Sequence, residues 1–268
     1  MTAVKGSDLV RYEAPSGKPL GVTPWYRIAA NVLRPILAMI TKKDWRGGEK
    51  IPKSGAVIIV CNHISYLDPL SFTHFLYNNG RAPRYLGKKS IFDFPVIGWI
   101  VTKAGQIPVD RESANAVKAL DHAIAALKAG HMIGIYPEGT LTRDPDLWPM
   151  TGKTGAARLA LLTDTPVIPC ASWGPEKVIP RYGKRIRLFP RTKLSIIVGD
   201  PVDLSKWRGM AHDTGALEEA SEEIMRAITV LLEELRGEKA PAIRFDTRRS
   251  GLPRTGNFLK KKRFGRVK

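Results

Sequence analysis

Apolar residues in this chain form two alternating kinds of pattern, short unbroken runs and longer stretches with a three-to-four-residue period. The run AVIIVC at 56–61 is long enough for a strand and too short for a helix; MIGIY at 132–136 and PVIPCAS at 166–172 have the same form. A further strand is predicted at 106–109. Between these runs lie periodic segments. In 113–129, Val117, Leu120, Ile124 and Leu127 fall on one helical face, and Gly130 ends the segment. Segments 155–163 and 217–235 also read as helices. The second opens with Glu218 and Glu219 and closes at Arg236-Gly237, which suits the helix macrodipole. Asp68-Pro69 predicts a helix start, with Asp68 as the cap and Pro69 at the first helical position. Segment 185–199 reads as two strands, RIRLF and KLSIIVG, that can pair with each other. Strands alternating with helices predict a single α/β domain with a central, mostly parallel sheet flanked by helices.

The first periodic segment, 24–44, has a different character. Arg27, Asn31 and Arg34 form one stripe, while Trp25, Ile28, Val32, Leu33, Ile36, Leu37 and Ile40 cover much of the remaining circumference. Pro35 should kink this helix near the Asn31 carbonyl. Two readings stand side by side: an amphipathic helix at a membrane interface, and a core helix of the domain. The predicted organisation is a leader at 1–23, the interface helix at 24–44, a domain at 45–237 and a basic tail at 238–268.

Composition adds three constraints. With 268 residues, 43% apolar and 25% charged, the chain can bury a sizeable core and should be globular. The 43 Lys/Arg exceed the 25 Asp/Glu, a net charge of +18, and twelve of those basic residues, against two acidic ones, follow from Arg236 onward. Such a tail is either solvated or attracted to anionic lipid or nucleic-acid phosphate, and the body carries no recognisable nucleic-acid module. Cys61 and Cys170, both inside apolar runs, make no disulfide framework and fit a reducing compartment. No secretory apolar segment and no spanning-length apolar run is visible, so the expected location is intracellular, in solution or peripheral on a membrane.

Several motifs fail on inspection. Gly152-Lys153-Thr154 resembles the end of a phosphate-binding loop, but position 147 is Leu where that loop needs Gly. There is no G-x-S-x-G elbow, and the five histidines lack metal-ligand spacing. Cys61 lies two residues before His63, yet a cysteine inside such a run is ordinarily an inert core residue. What survives is the loop after 56–61, where His63 is followed by Asp68. A carboxylate on one imidazole nitrogen sets the tautomer and leaves the other nitrogen as a base for a bound hydroxyl. Arg111 and Glu138 each follow a predicted strand, so they belong on the same carboxyl edge of the sheet as His63. Gly139 allows close backbone approach, Thr140 offers a hydroxyl, and Lys88 and Arg111 are cationic donors for a phosphate.

The ordered blocks His63-x4-Asp68, the segment ending at Arg111, Pro137-Glu138-Gly139-Thr140 and Val167-Ile168-Pro169 resemble the glycerolipid acyltransferases, over roughly 45–200. The nearest type is the 1-acyl-glycerol-3-phosphate acyltransferase. The resemblance implies acyl transfer from acyl-CoA or acyl carrier protein to a hydroxyl of lysophosphatidic acid or a related acceptor, in phospholipid biosynthesis at the cytoplasmic face of an anionic membrane, with no cofactor or metal and no specific nucleic acid. By the same match His63 is the general base, Asp68 orients it, Arg111 binds the acceptor phosphate, and Glu138, Gly139 and Thr140 shape the acceptor pocket. Lys88 matches a basic position, with Lys89 its rival. Leu141 departs from the family's arginine, and Arg143 is the candidate substitute. Glycerol 3-phosphate, another lysophospholipid or a glycolipid are alternative acceptors; a basic nucleic-acid-binding protein is the alternative of another class.

Overall fold

The computed structural model describes residues 20–109, 115–183, 185–252 and 257. Seven strands, β1 (Thr41–Arg46), β2 (Val57–Cys61), β3 (Arg84–Lys88), β4 (Ile107–Val109), β5 (Met132–Ile135), β6 (Val167–Trp173) and β7 (Thr192–Val198), form one sheet in the order β1-β7-β6-β2-β5-β3-β4. Every neighbouring pair is parallel except β6 with β7. The helices are α1 (Pro24–Ile40), α2 (Asp68–Asn78), α3 (Lys89–Phe92), α4 (Pro95–Lys103), α5 (Asn115–Lys128), α6 (Gly155–Thr163), α7 (Pro175–Val178) and α8 (Thr214–Arg236).

Strand β2 shows why the apolar runs are unbroken. Its residues are at most 1% exposed, and they alternate between two cores. Ile58 and Val60 pack with Ala123, Leu127, Leu217 and Ile224 from α5 and α8; Val57, Ile59 and Cys61 pack with Phe72, Phe75 and Leu76 from α2. A strand covered on both faces must be apolar at every position.

Three expectations are corrected. The first helix ends at Ile40, and 41–46, TKKDWR, is the edge strand β1. Thr41 closes the helix by donating both its N–H and its hydroxyl to the Leu37 carbonyl. Lysines on an edge strand protect it from pairing with other chains, which is why this strand looked like a charged helix end. Segment 185–190 is not a strand, and β7 pairs instead with β1 and β6. Finally, the first part of the expected tail is folded onto the domain: Arg244 pairs with Glu222 of α8, and the Ala240 N–H donates to Glu233 at 3.0 Å.

Gly134 of β5 shows how sheet packing reaches the loops. A Cβ there would sit 2.5 Å from Cε1 of Tyr85, whose ring stacks on Tyr136 with centroids 5.9 Å apart. Gly134→Ala should therefore displace the Tyr85 ring and destabilise the fold by about 1–3 kcal/mol. Urea denaturation checks this; an unchanged midpoint would show that the ring shifts freely.

Candidate active site

The site is built where β2 and β5 end side by side. Asn62 locks the end of β2 to β6, donating to the Ser172 carbonyl at 3.0 Å and accepting from the Ser172 N–H at 2.8 Å. The chain then turns through 63–67 into α2. Asp68 opens that helix, but its side chain does not cap it as expected. Its Oδ2 turns back into the loop, accepting from the N–H groups of Ile64 (2.6 Å) and Ser65 (2.8 Å) and lying 2.9 Å from Nδ1 of His63. Asp68 is fully buried, so this carboxylate has exchanged water for three donors. Its acceptor oxygen puts the proton on Nδ1 of His63 and leaves Nε2 as the acceptor. The imidazole also stacks on Tyr136, with centroids 4.2 Å apart.

The neighbouring loop after β5 is tied to this one. Glu138 accepts from the His63 N–H through Oε1 (2.9 Å) and from the Met150 N–H through Oε2 (3.1 Å), while the Thr142 N–H donates to the His63 carbonyl at 2.7 Å. Arg181 donates to the carbonyls of Thr142, at 2.9 Å, and Asp144. Glu138 and Arg143 are 1% and 2% exposed and neither lines the cavity beside His63. Both side chains are thus enclosed by the loops at the end of the sheet. Glu138 shapes the pocket through backbone it holds from within, and Arg143 is packed inside the loop.

A cavity of about 1400 Å³ begins at His63 and runs beneath α1 and α4. Its lining includes Lys88, Gly139, Thr140 and Lys153 together with Tyr26, Leu33, Ile100 and Ala104. Lys89 also lines it, with its ammonium paired to Asp93 at 2.9 Å. Arg111 lies outside the described residues; Val109, two positions earlier, is the register partner of Lys88. Leu141 is 2% exposed and fills the loop with an apolar side chain.

Lys153 was passed over in the sequence because its Gly-Lys-Thr setting failed as a phosphate loop. Its N–H donates to the Pro137 carbonyl at 2.8 Å, and its side chain crosses Gly139 so closely that a Cβ there would meet Cε at 2.9 Å. Gly139 also sits at φ 71°, a backbone conformation that favours glycine. Next to it, Thr151 donates its N–H (2.9 Å) and its hydroxyl (3.1 Å) to the Phe245 carbonyl, so the folded start of the tail braces the lysine loop.

Other nucleophiles and bases are turned into packing. Cys61 is buried with its thiol pushed well up by desolvation, and the Ser65 hydroxyl donates to the Ile179 carbonyl at 2.7 Å. His74 also lines the cavity, but burial, with Lys43 and Arg34 nearby, lowers it to about 4, and its ring meets Trp45 edge-on. The His63–Asp68 pair is thus suited to activating a hydroxyl that arrives with a substrate.

Residues 43–173, which contain both loops, match the model of the Acyltransferase family. Several relatives carry the name 1-acyl-sn-glycerol-3-phosphate acyltransferase. A chloroplast 1-acyl-sn-glycerol-3-phosphate acyltransferase of Brassica napus is 33% identical over 167 residues, 62% of this chain and 46% of that protein. The enzyme of the same name from Bacillus subtilis is 29% identical over 180 residues, 66% of this chain and 82% of that one. The match thus spans about half the length of the plant relative and most of the bacterial one. The crystal structure of a 1-acyl-sn-glycerophosphate (LPA) acyltransferase from Thermotoga maritima shares the fold, with a TM-score of 0.58 at 23% identity, covering 80% of this chain and 83% of that one.

Glu138 supplies a pH test of this loop architecture. Burial pushes its carboxyl from the ordinary 4.5 to about 8, against the opposing pull of the Met150 and His63 N–H groups. Within that window the folded protein holds a proton that the unfolded chain has released, so this group makes stability fall as pH rises. Glu138→Gln should remove that component of the slope. Urea midpoints of both proteins from about pH 5 to about pH 8 would show it; parallel profiles would mean that Glu138 does not titrate there.

Proposed function

We propose that the protein transfers a fatty acyl group from a thioester donor, acyl-CoA or acyl carrier protein, to the free hydroxyl of a glycerol-phosphate acceptor such as 1-acyl-glycerol 3-phosphate, in phospholipid synthesis at a membrane surface. The observation that carries this reading is the 2.9 Å His63–Asp68 pair at the head of a long apolar cavity. Nε2 of His63 takes the acceptor proton as the acceptor oxygen attacks the thioester carbonyl. The new C–O bond forms, the C–S bond breaks, and the proton passes from His63 to the departing thiolate. Because the thioester is already activated, no covalent enzyme intermediate is required. Asp68 stabilises the transient imidazolium. The apolar lining of the cavity suits an acyl chain, and Lys88 and Lys153 among its lining suit a phosphate. By family resemblance Arg111 joins them.

The membrane part of the reading rests on α1. Its Tyr26, Ala30, Leu37 and Ile40 pack inward, yet Ile28, Val32, Ile36 and Met39 on the opposite side are 46–60% exposed. Among the described residues no helix is long and apolar enough to cross a membrane. A helix apolar on an outward face fits one that lies in the interface.

Purified protein with radiolabelled acyl-CoA or acyl carrier protein and a panel of acceptors tests the reaction; no transfer to any glycerol-phosphate acceptor would overturn it. His63→Ala should abolish transfer while the protein stays folded, and Asp68→Asn should lower kcat strongly. Near-normal turnover in a folded His63→Ala protein would refute the base assignment.

Lys153→Ala should raise the acceptor KM. A charge-assisted bond contributes about 1.5–3 kcal/mol, so kcat/KM should drop by about tenfold or more. Lys89→Ala should change it little, since that ammonium is held by exposed Asp93. Equal effects of the two substitutions would remove Lys153 from the phosphate site.

A further inference from the structure

The segment that joins α7 to β7 has no regular structure over 185–190 but is not loosely held. The Arg187 N–H donates to the Val178 carbonyl at 2.8 Å. At its end, the Arg191 guanidinium donates to the carbonyls of Ala38 (2.7 Å) and Thr41 (2.6 Å), the last turn of α1 and its cap. A pinned loop next to a packed helix would ordinarily turn apolar side chains inward. Here Ile186, Leu188 and Phe189 are 61%, 43% and 67% exposed. Exposed apolar residues scattered singly need no explanation, but three within four positions of a tethered loop do.

Two observations say what covers them. First, charge: Arg185, Arg187 and Arg191 alternate with the apolar side chains, and the chain contains no Asp or Glu between Glu176 and Asp200. Arginine beside aromatic and aliphatic tips is the composition of a loop whose apolar ends sit among acyl chains and whose guanidinium groups reach phosphates. Second, continuity: Arg191 fastens the loop to the carbonyl of Ala38, and Met39, the next residue, ends the exposed stripe of α1. That stripe borders the cavity, whose lining includes Ile28 and Val32.

We propose that loop 185–191 is a second lipid-contacting element, which inserts Ile186, Leu188 and Phe189 into an anionic membrane while Arg185 and Arg187 engage its phosphate headgroups. With α1 it gives two contact points, and two points fix the orientation of the cavity where one helix leaves it free to rock. The proposal rests on the membrane-surface reading above.

Flotation of the full chain with vesicles of phosphatidylcholine alone, and of equal parts phosphatidylcholine and phosphatidylglycerol, tests both. Wild type should bind the mixed vesicles better. The triple variant Ile186→Ser, Leu188→Ser, Phe189→Ser, with its folding checked by thermal denaturation, should bind them at least about tenfold more weakly. Arg185→Gln with Arg187→Gln should lose most of the preference for the anionic vesicles. Leu188→Cys, labelled with an environment-sensitive fluorophore while Cys61 and Cys170 remain buried, should shift to the blue on vesicles and be quenched by spin-labelled lipid. Unchanged partition of the triple variant, or an unshifted label on bound protein, would overturn the loop assignment and leave the membrane reading intact. Failure of wild type to bind either vesicle would overturn both.

Discussion

Oδ2 of Asp68 holds this site together. A fully buried carboxylate is costly unless its lone pairs are taken up, and here one oxygen gathers two backbone N–H groups and an imidazole nitrogen. The same three contacts curl the loop over 63–65, set the tautomer of His63 and anchor the start of α2. Removing the charge would thus disturb the shape of the loop and the orientation of the imidazole together. The five-residue spacing follows from this geometry: the chain needs a short turn after β2 before α2 can present a side chain back to the loop it has just left.

The second loop depends on the first. Glu138 reaches across to the backbone of His63, and Thr142 donates to the His63 carbonyl, so the peptide groups on both sides of the base are held from the neighbouring loop. Gly134 leaves room for Tyr85, Tyr85 stacks on Tyr136, and Tyr136 stacks on the imidazole. Base orientation is therefore fixed along the sheet as well as along the chain. Such bracing suits a reaction in which a positioned base must meet an incoming hydroxyl without a covalent intermediate to hold the substrate.

Strands β2, β5 and β6 were legible because burial on both faces leaves no polar position to obscure the run. Helices α6 and α8 were legible from their period and their ends. Strand β1 was not, since an edge strand with two adjacent lysines has the composition of a frayed helix end, and only its pairing with β7 defines it. At the site, the contact of His63 with Asp68 joins two residues of one short turn, which local spacing can suggest. The inward turn of Glu138 could not, because it depends on N–H groups of His63 and Met150 from two other points of the chain. Lys153 stayed hidden for a related reason. Its motif fails as a phosphate loop, and its place in the cavity comes from crossing Gly139, a contact between loops that no local pattern carries.

Helix α1 was left with two readings, interface or core, and its structure combines them. Tyr26, Ala30, Leu37 and Ile40 close the domain, while Ile28, Val32, Ile36 and Met39 face outward. A helix apolar around so much of its surface is stable in water only if both sides are covered, and the domain covers one. On the proposed reading a membrane covers the other, and the helix then becomes the wall between lipid and cavity. Trp25 of α1 meets Trp99 of α4 with ring centroids 4.3 Å apart, so the two helices that roof the cavity are joined at one end. On that reading an acyl chain drawn from a bilayer passes along that roof toward His63, and Lys88 and Lys153 of the same lining meet the charged headgroup.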